Sequence, residues 1–378
     1  MKYMSLLCFV VSFCARAELV ITLGGDINFN KTSFKSHSLG FSPSNSFTAE
    51  DAIPWSYFTQ KVSPLLKGHL NFANIETVIS DDNSIKQEEK KFKFRTHPSA
   101  IEHLISIGFN FFSLANNHAY DFGPQGFIET LTHIKSLGTH DVYYHGLGTR
   151  DELLKPKVFV INGYSIAFAA ISIVDPKYRA TSSKIGLLDI RSREDYHELI
   201  KSFRALKVDL KILSIHFGTE GQVSLDQGQK KYYEYAIDYA DIDLIIGHHP
   251  HAVRPISRYK NKLIFYSLGN YLMLGSADIT KKRGGADWGM FAKLVYSKND
   301  SLSSAQTLIE AVEFQVLTKT HTQVSLLEGD KVQERLKEFA QLGARELGSD
   351  ALTWKIKKSK GIYCADGFQS ASAQEICD

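Results

Sequence analysis

Leu244-Ile245-Ile246-Gly247-His248-His249-Pro250-His251 is an apolar run that stops on a glycine and turns at once into imidazoles. A short run rich in isoleucine and bounded by Gly and Pro reads as a buried strand. Its polar residues fall just beyond the strand's carboxyl end. The pattern recurs along the chain. Residues 19–23 lead into Gly24-Gly25-Asp26, residues 70–75 into Glu76, residues 110–114 into Asn116-Asn117-His118, and residues 210–215 into His216. Between these runs lie helical patterns. Pro124 opens one that extends to about Leu137 and stops at Gly138, and another covers roughly residues 227–239. Residues 158–161 and 165–171 flank Asn162-Gly163, a hairpin signal, and residues 262–266 run into Ser267-Leu268-Gly269-Asn270. Strand–helix alternation with hairpins predicts an α/β fold, a mixed sheet covered by helices on its faces.

In an open α/β sheet, ligands bind beyond the strand carboxyl ends. Asp26, Glu76, Asn117, His118, His216, His249 and His251 all occupy that rim. A lone Asp there is usually a cap or turn residue, and a lone His a hydrogen-bonded surface or core residue. Seven such residues in successive strand-end turns point instead to a shared metal or anion site. Carboxylate and amide oxygens with imidazole nitrogens, and no thiolate, suit one or two divalent ions such as Mn, Fe or Zn. A paired site needs a bridging carboxylate, and a nearby non-ligating His can protonate a leaving oxygen. Gly24-Gly25-Asp26 lacks the spacing of a dinucleotide loop, and neither a P-loop nor a nucleophile elbow is present.

The chain has 378 residues, with 44 Lys+Arg against 41 Asp+Glu and a net charge of +3. This ordinary balance excludes disordered, collagenous and coiled-coil classes and gives no electrostatic footprint for nucleic acid. Length alone allows two or three domains, or one large α/β domain with additions. Residues 31–54 are Ser-rich and predict a surface loop. Residues 80–93 are highly charged and predict a solvated face or insertion. Residues 271–288 carry Gly275, Gly284 and Gly285 and predict a mobile loop. A charged amphipathic helix is expected from about Gly329 to Leu347.

The first residues have the pattern of a signal peptide: Lys2, an apolar run from Tyr3 to Ala15, then Ala15-Arg16-Ala17. Cleavage is expected after Ala17, giving an exported, periplasmic or extracellular protein. A lipoprotein signal at Cys14 is the rival, disfavoured by bulky Phe13, and an uncleaved anchor is disfavoured by the short run. No later segment approaches membrane length, so no stable membrane span is expected after cleavage. The cysteines beyond residue 17 are Cys364 and Cys377. An even pair in an exported protein reads as a disulfide, with two free thiols as the alternative.

Taken in order, several motifs resemble the poly-γ-glutamate capsule synthesis proteins of the CapA/PgsA type, a family related in fold to the calcineurin-like metallophosphoesterases. They are Gly25-Asp26-Ile27, Asn71-Phe72-Ala73-Asn74-Ile75-Glu76-Thr77, and Leu114-Ala115-Asn116-Asn117-His118-Ala119-Tyr120-Asp121-Phe122-Gly123. His216-Phe217-Gly218-Thr219-Glu220, Ile246-Gly247-His248-His249-Pro250-His251 and Tyr266-Ser267-Leu268-Gly269-Asn270 follow. The resemblance covers about residues 19–297. It implies a four-layer α/β/β/α metallophosphatase-like sandwich over residues 18–300, with residues 301–378 as a strand-and-helix appendage ending in the disulfide-capable tail. Asp26 then corresponds to the first metal carboxylate, Glu76 to the bridging acid and Asn117 to the metal-binding amide. His216 and His249 serve one ion and His251 the other. His118 becomes the general acid, with Asp121 and Glu220 orienting imidazoles or substrate. Asn28, Asn74, Asn116, His248 and Asn270 lie around the ligands or substrate. Asn28 stands where the phosphoesterases carry a His, Asn116 where they carry a Gly, and Glu76 where they usually carry an Asp. Within the capsule family, Ser257 and Gly221 replace a frequent acid and a frequent aromatic.

The implied function is an exported protein of capsule or cell-envelope polymer biosynthesis with a metal-dependent, phosphoesterase-like hydrolase site. Its partners are an anionic envelope polymer or a phosphoester substrate. The alternative is a non-catalytic accessory that binds an anionic polymer such as poly-γ-glutamate, or a polymer synthase. An amidase-like activity on glutamyl linkages is a third reading.

Overall fold

The computed structural model describes residues 18–30, 54–137, 141–274, 276, 288–299 and 306–378. The expected signal peptide, residues 31–53 of the loop expected at 31–54, the helix stop at Gly138 and most of the loop expected at 271–288 lie outside them; residues 271–274 of the latter are not loop but a buried strand paired with the first one. The chain runs β1 (Glu18–Phe29), α1 (Trp55–Thr59), β2 (Leu70–Ile75), β3 (Val78–Ile79), β4 (Arg95–Thr96), α2 (Pro98–Ser106), β5 (Phe111–Ser113), α3 (Gly123–Leu137), β6 (Tyr143–His145), α4 (Arg150–Leu153), β7 (Lys157–Ile161) and β8 (Tyr164–Ser172). It continues α5 (Arg193–Ala205), β9 (Leu210–His216), α6 (Gln227–Ala240), β10 (Leu244–His248), β11 (Val253–Tyr259), β12 (Lys262–Leu268), β13 (Asn270–Leu274), β14 (Gly289–Asn299), β15 (Gln306–Thr318), β16 (Ser325–Leu326), α7 (Asp330–Leu347), β17 (Lys355–Lys357), β18 (Lys360–Cys364) and α8 (Ala371–Cys377).

Two mixed sheets result. The first has the order β17-β18-β15-β14-β1-β2-β5-β6, and the second β11-β12-β10-β9-β8-β7. In the first, β1, β2, β5 and β6 are parallel, while β14 and β15 run antiparallel. In the second, β8, β9, β10 and β12 are parallel, with β7 and β11 antiparallel at the edges. The β7–β8 turn is made by Asn162 and Gly163 with φ of 46° and 77°. Two consecutive positive φ values are what a two-residue hairpin of the right twist requires.

The sheets pack face to face because alternate residues on each strand are large and apolar. Phe72 of β2 and Phe111 of β5 meet Phe168 of β8 edge-on, with ring centroids 6.3 and 4.3 Å apart. Each such ring, fully buried, contributes roughly 1.5–3 kcal/mol. On the far side of the second sheet, α5 and α6 pack Leu199, Phe203, Tyr233 and Ile237 over Ala167, Ala169, Leu213 and Ile245. On the far side of the first, α8 covers Val20, Val295, Ala311 and Ile362. The molecule is therefore a four-layer α/β/β/α sandwich.

Residues beyond 300 extend the first sheet through β15, β17 and β18. The amphipathic α7 inserts Val332, Leu336 and Phe339 into the main core. Cys364 and Cys377 form a disulfide with Cα atoms 6.1 Å apart, tying β18 to α8. Among the described residues, no helix is long and apolar enough to cross a membrane.

Candidate metal centre

The parallel strands of both sheets end on one rim, and there the polar turn residues converge. Asp26 lies at a bulge in β1, between the register of β2 and that of β13. Gly25 makes this crossing possible: a Cβ there would stand 1.9 Å from the Gly269 carbonyl oxygen. Asp26 N–H donates to that same oxygen at 3.1 Å. His249 and His251, after β10, adopt φ of 93° and 53°. Non-glycine residues in this region carry about 1–3 kcal/mol of strain each, which clusters at functional sites.

Two triads of ligand atoms share Glu76. Glu76, His216 and His249 form one, and Asp26, Glu76 and His251 the other, each with its ligand atoms within 4.8 Å of one another. Glu76 Oε1 stands 3.5 Å from His216 Nε2 and 3.6 Å from His251 Nε2, and Asp26 Oδ2 is 3.5 Å from His251 Nδ1. These separations are long for hydrogen bonds. They match donors that share an ion held about 2.0–2.2 Å from each. Both carboxylate oxygens of Glu76 and the Nδ1 of His249 are buried without a hydrogen-bond partner. Orphaned buried carboxylates are costly, so the chemistry of the donor set and its missing partners fit a divalent ion. Burial, then the charges of Asp26 and Glu220, push the Glu76 pKa well up. Burial, then the neighbouring imidazoles, holds His216 and His249 well below the usual histidine range, so both rings present neutral nitrogens, the form that ligates metal.

Amides orient this set. Asn117 Oδ1 lies 2.9 Å from His216 Nε2. Asn74 Nδ2 donates to Asp26 Oδ1 at 2.7 Å and lies 3.3 Å from His216 Nδ1. Asn116 Nδ2 donates to the Ile75 carbonyl, and its Oδ1 accepts from His118 N–H. Asn270 Oδ1 is 2.7 Å from His251 Nδ1. His248 stacks on Phe72 with its Nδ1 3.5 Å from Asp26 Oδ1; burial lowers its pKa to about 4.

His118 sits beside the triads with Nδ1 2.6 Å from Asp121 Oδ2. Burial lowers its pKa, and the Asp121 charge opposes that shift. Glu220 is half exposed and only 4.0 Å from His249 Nε2, at the mouth rather than among the buried ligands. Asn28, on β1 two residues after Asp26, is buried; its Oδ1 accepts from Thr96 Oγ1 at 3.5 Å, and its Nδ2 has no hydrogen-bond partner. Gly221 has φ of 71° and donates to the Pro250 carbonyl at 2.8 Å, a backbone that an aromatic would strain. Ser257 is buried within β11. Cys364 and Cys377 are on β18 and α8, away from the rim strand ends.

Three further residues brace the rim: Lys90 and Arg254 carry no sequence signal, while Phe94 lies in a stretch, Phe94-Arg95 with Pro98, that resembles the capsule family. Lys90, from the charged segment read as a solvated face, donates to Asp121 Oδ1 and, at 2.6 Å, to the Asn117 carbonyl. Phe94 packs its ring 4.1 Å from that of His118, while its N–H donates to Asp121 Oδ2 at 2.7 Å. Arg254 is fully buried and bonds Asp226, Gln229 and the carbonyls of Thr219 and Gln222, bracing the loop after His216. A run of Lys and Glu gave no hint that one lysine turns inward.

Residues 20–274 match the family model of the bacterial capsule synthesis protein PGA_cap. The PGA biosynthesis protein CapA of Bacillus subtilis is 29% identical over 215 residues, covering 56% of each chain. The capsule biosynthesis protein CapA of Bacillus anthracis is 28% identical over 229 residues, covering 57% of this chain and 53% of its own. A probable polyglutamine synthesis accessory protein of Mycobacterium tuberculosis is 29% identical over 209 residues, covering 52% and 53%. The chain thus spans about half the length of the curated relatives it matches. Among solved structures, the calcineurin-like phosphoesterase YfkN of Bacillus subtilis aligns over 86% of this chain and 97% of its own, with a TM-score of 0.42 and 13% identity.

Proposed function

The chain belongs to the bacterial capsule synthesis protein family PGA_cap, and from that premise we propose that it is an exported metal-dependent hydrolase of capsule or cell-envelope polymer metabolism. The observation that carries the reading is Glu76, fully buried with neither carboxylate oxygen hydrogen-bonded, standing between two groups of ligand atoms. Glu76, His216 and His249, with Asn117, would hold one divalent ion, and Asp26, Glu76 and His251 the other. A divalent ion bound there supplies Lewis-acid polarisation of a phosphoryl or carbonyl oxygen and lowers the pKa of water.

The chain's own residues do the rest. Asp121 binds the Nδ1 side of His118 and its charge favours the imidazolium; in that form Nε2–H would give its proton to the leaving oxygen as water adds to phosphorus and the bond to that oxygen breaks, with the proton of the added water restoring the charge. Lys90 holds Asp121 and the Asn117 backbone in register. Phe94 covers the His118 ring and limits water around it. Export rests on the sequence of residues 1–17 and is supported by the Cys364–Cys377 disulfide, a feature of oxidising compartments. The substrate is an anionic envelope polymer or a phosphoester attached to one.

A second reading, a non-catalytic accessory that binds an anionic polymer or a synthase, is favoured by one observation. Asn28 stands where the phosphoesterases carry a histidine. Metal analysis of the purified protein, alongside hydrolysis of an aryl phosphodiester with added manganese, separates the two. The hydrolase reading expects bound metal, loss of both metal and turnover in His249→Ala, and a drop of about 10²–10⁴-fold in His118→Ala with metal retained. Well-folded protein with neither metal nor turnover leaves the accessory reading.

A further inference from the structure

The second sheet has two edge strands in opposite conditions. At β11 the edge is closed: α7 packs on the strand, and Leu352 N–H donates to the Ile256 carbonyl at 2.9 Å. At the other end, β7 pairs with β8 on one side and, among the described residues, with no strand on the other. β6 and β17, which end the first sheet, are three residues long, whereas β7 has five. An open edge is a template for another strand unless charge, proline or a bulge blunts it. None does so here. Lys157, the one charge on β7, lies over the Tyr144 ring, 4.7 Å from its centre. Pro156 stands just before the strand, and the β7–β8 register runs without a shift.

The hairpin fixes which backbone groups are free. Asn162 and Gly163 make a two-residue turn, so the residues that flank it, Ile161 and Tyr164, exchange hydrogen bonds. Alternation then turns the N–H and C=O of Lys157, Phe159 and Ile161 toward β8 and those of Val158 and Val160 outward. Side chains alternate as well. Phe159 is buried and stacks on Tyr143 with ring centroids 3.8 Å apart. Val158 and Val160 are 49% and 66% exposed. The same two residues thus offer free backbone groups and uncovered apolar side chains.

The partner that fits this edge is a second β7, because the strand is self-complementary about Phe159. Laid antiparallel on itself with the two Phe159 residues opposed, it sets each Val158 against Val160 of the second copy. These are the residues whose N–H and C=O face outward, so both pairs exchange hydrogen bonds, and the four valines meet on one face. A slip of one residue faces outward groups with inward ones. A slip of two sets one valine against Pro156, which has no N–H, or against the turn at Asn162. We propose that β7 is the interface of a two-fold homodimer in which the second sheets of two copies join edge to edge. Since the copies run antiparallel, their metal rims open at opposite ends, and the dimer is independent of what the rim does. Five residues a side bury less than the roughly 1,200–2,000 Å² of a stable complex, so the dimer is a weak one, with a Kd of about 10–100 µM.

Sedimentation velocity of the exported protein from about 5 to about 500 µM tests it, and a shift from monomer to dimer across that range is expected. Val160→Pro removes one outward N–H, and Val160→Lys puts a charge on the exposed face. Each should weaken association at least roughly tenfold. Neither change touches the bonds to β8, so Val160→Lys should keep the thermal midpoint of the parent, and its loss of dimer is not a loss of fold. The register has its own check. Val160→Lys mixed with Val158→Glu should recover dimer, because position 160 of one copy faces position 158 of the other; mixed with Val160→Glu it should recover several-fold less. A monomer throughout the range overturns the proposal. So does a dimer indifferent to both Val160 variants, or one in which Val158→Glu is no better a partner than Val160→Glu.

Discussion

Two buried glutamates, Glu76 at the rim and Glu310 on β15, carry the same side chain in opposite conditions. Glu310 is saturated. Ser297 Oγ donates to it at 2.7 Å, the backbone N–H groups of Gln369 and Ser370 at 3.3 and 2.9 Å, and Ser370 Oγ besides. Burial by itself would raise its pKa, but the hydrogen bonds from Ser370 and Ser297 outweigh that and lower it. Glu76 is enclosed more completely and accepts nothing, and burial and the Asp26 charge push its pKa well up. A carboxylate that a fold uses as a clasp is given donors. Glu76 has none and stands beside three imidazoles and a second carboxylate, a set that a divalent cation would fit.

The largest effect that sharpens this contrast is the response to metal. Manganese at a thousandfold excess over its Kd should stabilise the parent by about 4 kcal/mol, read as a rise in thermal midpoint. In Glu76→Gln most of that rise should vanish, whereas in Glu310→Gln it should persist. A full metal response in Glu76→Gln would break the comparison.

Next comes the clasp. Glu310→Ala leaves two backbone N–H groups and two serines without an acceptor and should cost about 2–4 kcal/mol in denaturant unfolding. The pH dependence follows from the sign of its shift. Because the folded pKa is below the ordinary 4.5, the stabilisation is complete above about pH 4.5 and is lost as pH falls through the folded value. The parent should therefore show a steeper acid limb than Glu310→Gln, and parallel limbs would show that the clasp carries no such linkage.

The smallest effect concerns Lys90. Lys90→Met removes the cation behind Asp121 but no ligand, so phosphodiester turnover should fall roughly tenfold, about 1.4 kcal/mol in the barrier, with metal content unchanged. A loss of metal in this variant would make Lys90 part of the ligand scaffold instead.

Much of the architecture is local and therefore legible in the chain. The strand at 70–75, the hairpin at Asn162-Gly163 and the helix over 227–240 follow from apolar periodicity, positive-φ turn residues and a Pro- and Gly-poor amphipathic pattern. Even the rim was readable, because a polar residue placed straight after a buried strand must lie where the strand leaves the core. Other features depended on the three-dimensional fold. Periodicity reports which face of a segment is buried, not which distant segment it meets. Only the fold brings Lys90 out of a charged run to the His118–Asp121 pair and seats Phe94 on the His118 ring. Nothing short of the fold makes the strands after residue 300 a continuation of the first sheet. The left-handed backbones of His249 and His251 are likewise held by what surrounds them. The identity and order of the candidate ligands are read from the sequence; that two groups of them share Glu76 is decided by the packing of two sheets whose strands end on one rim.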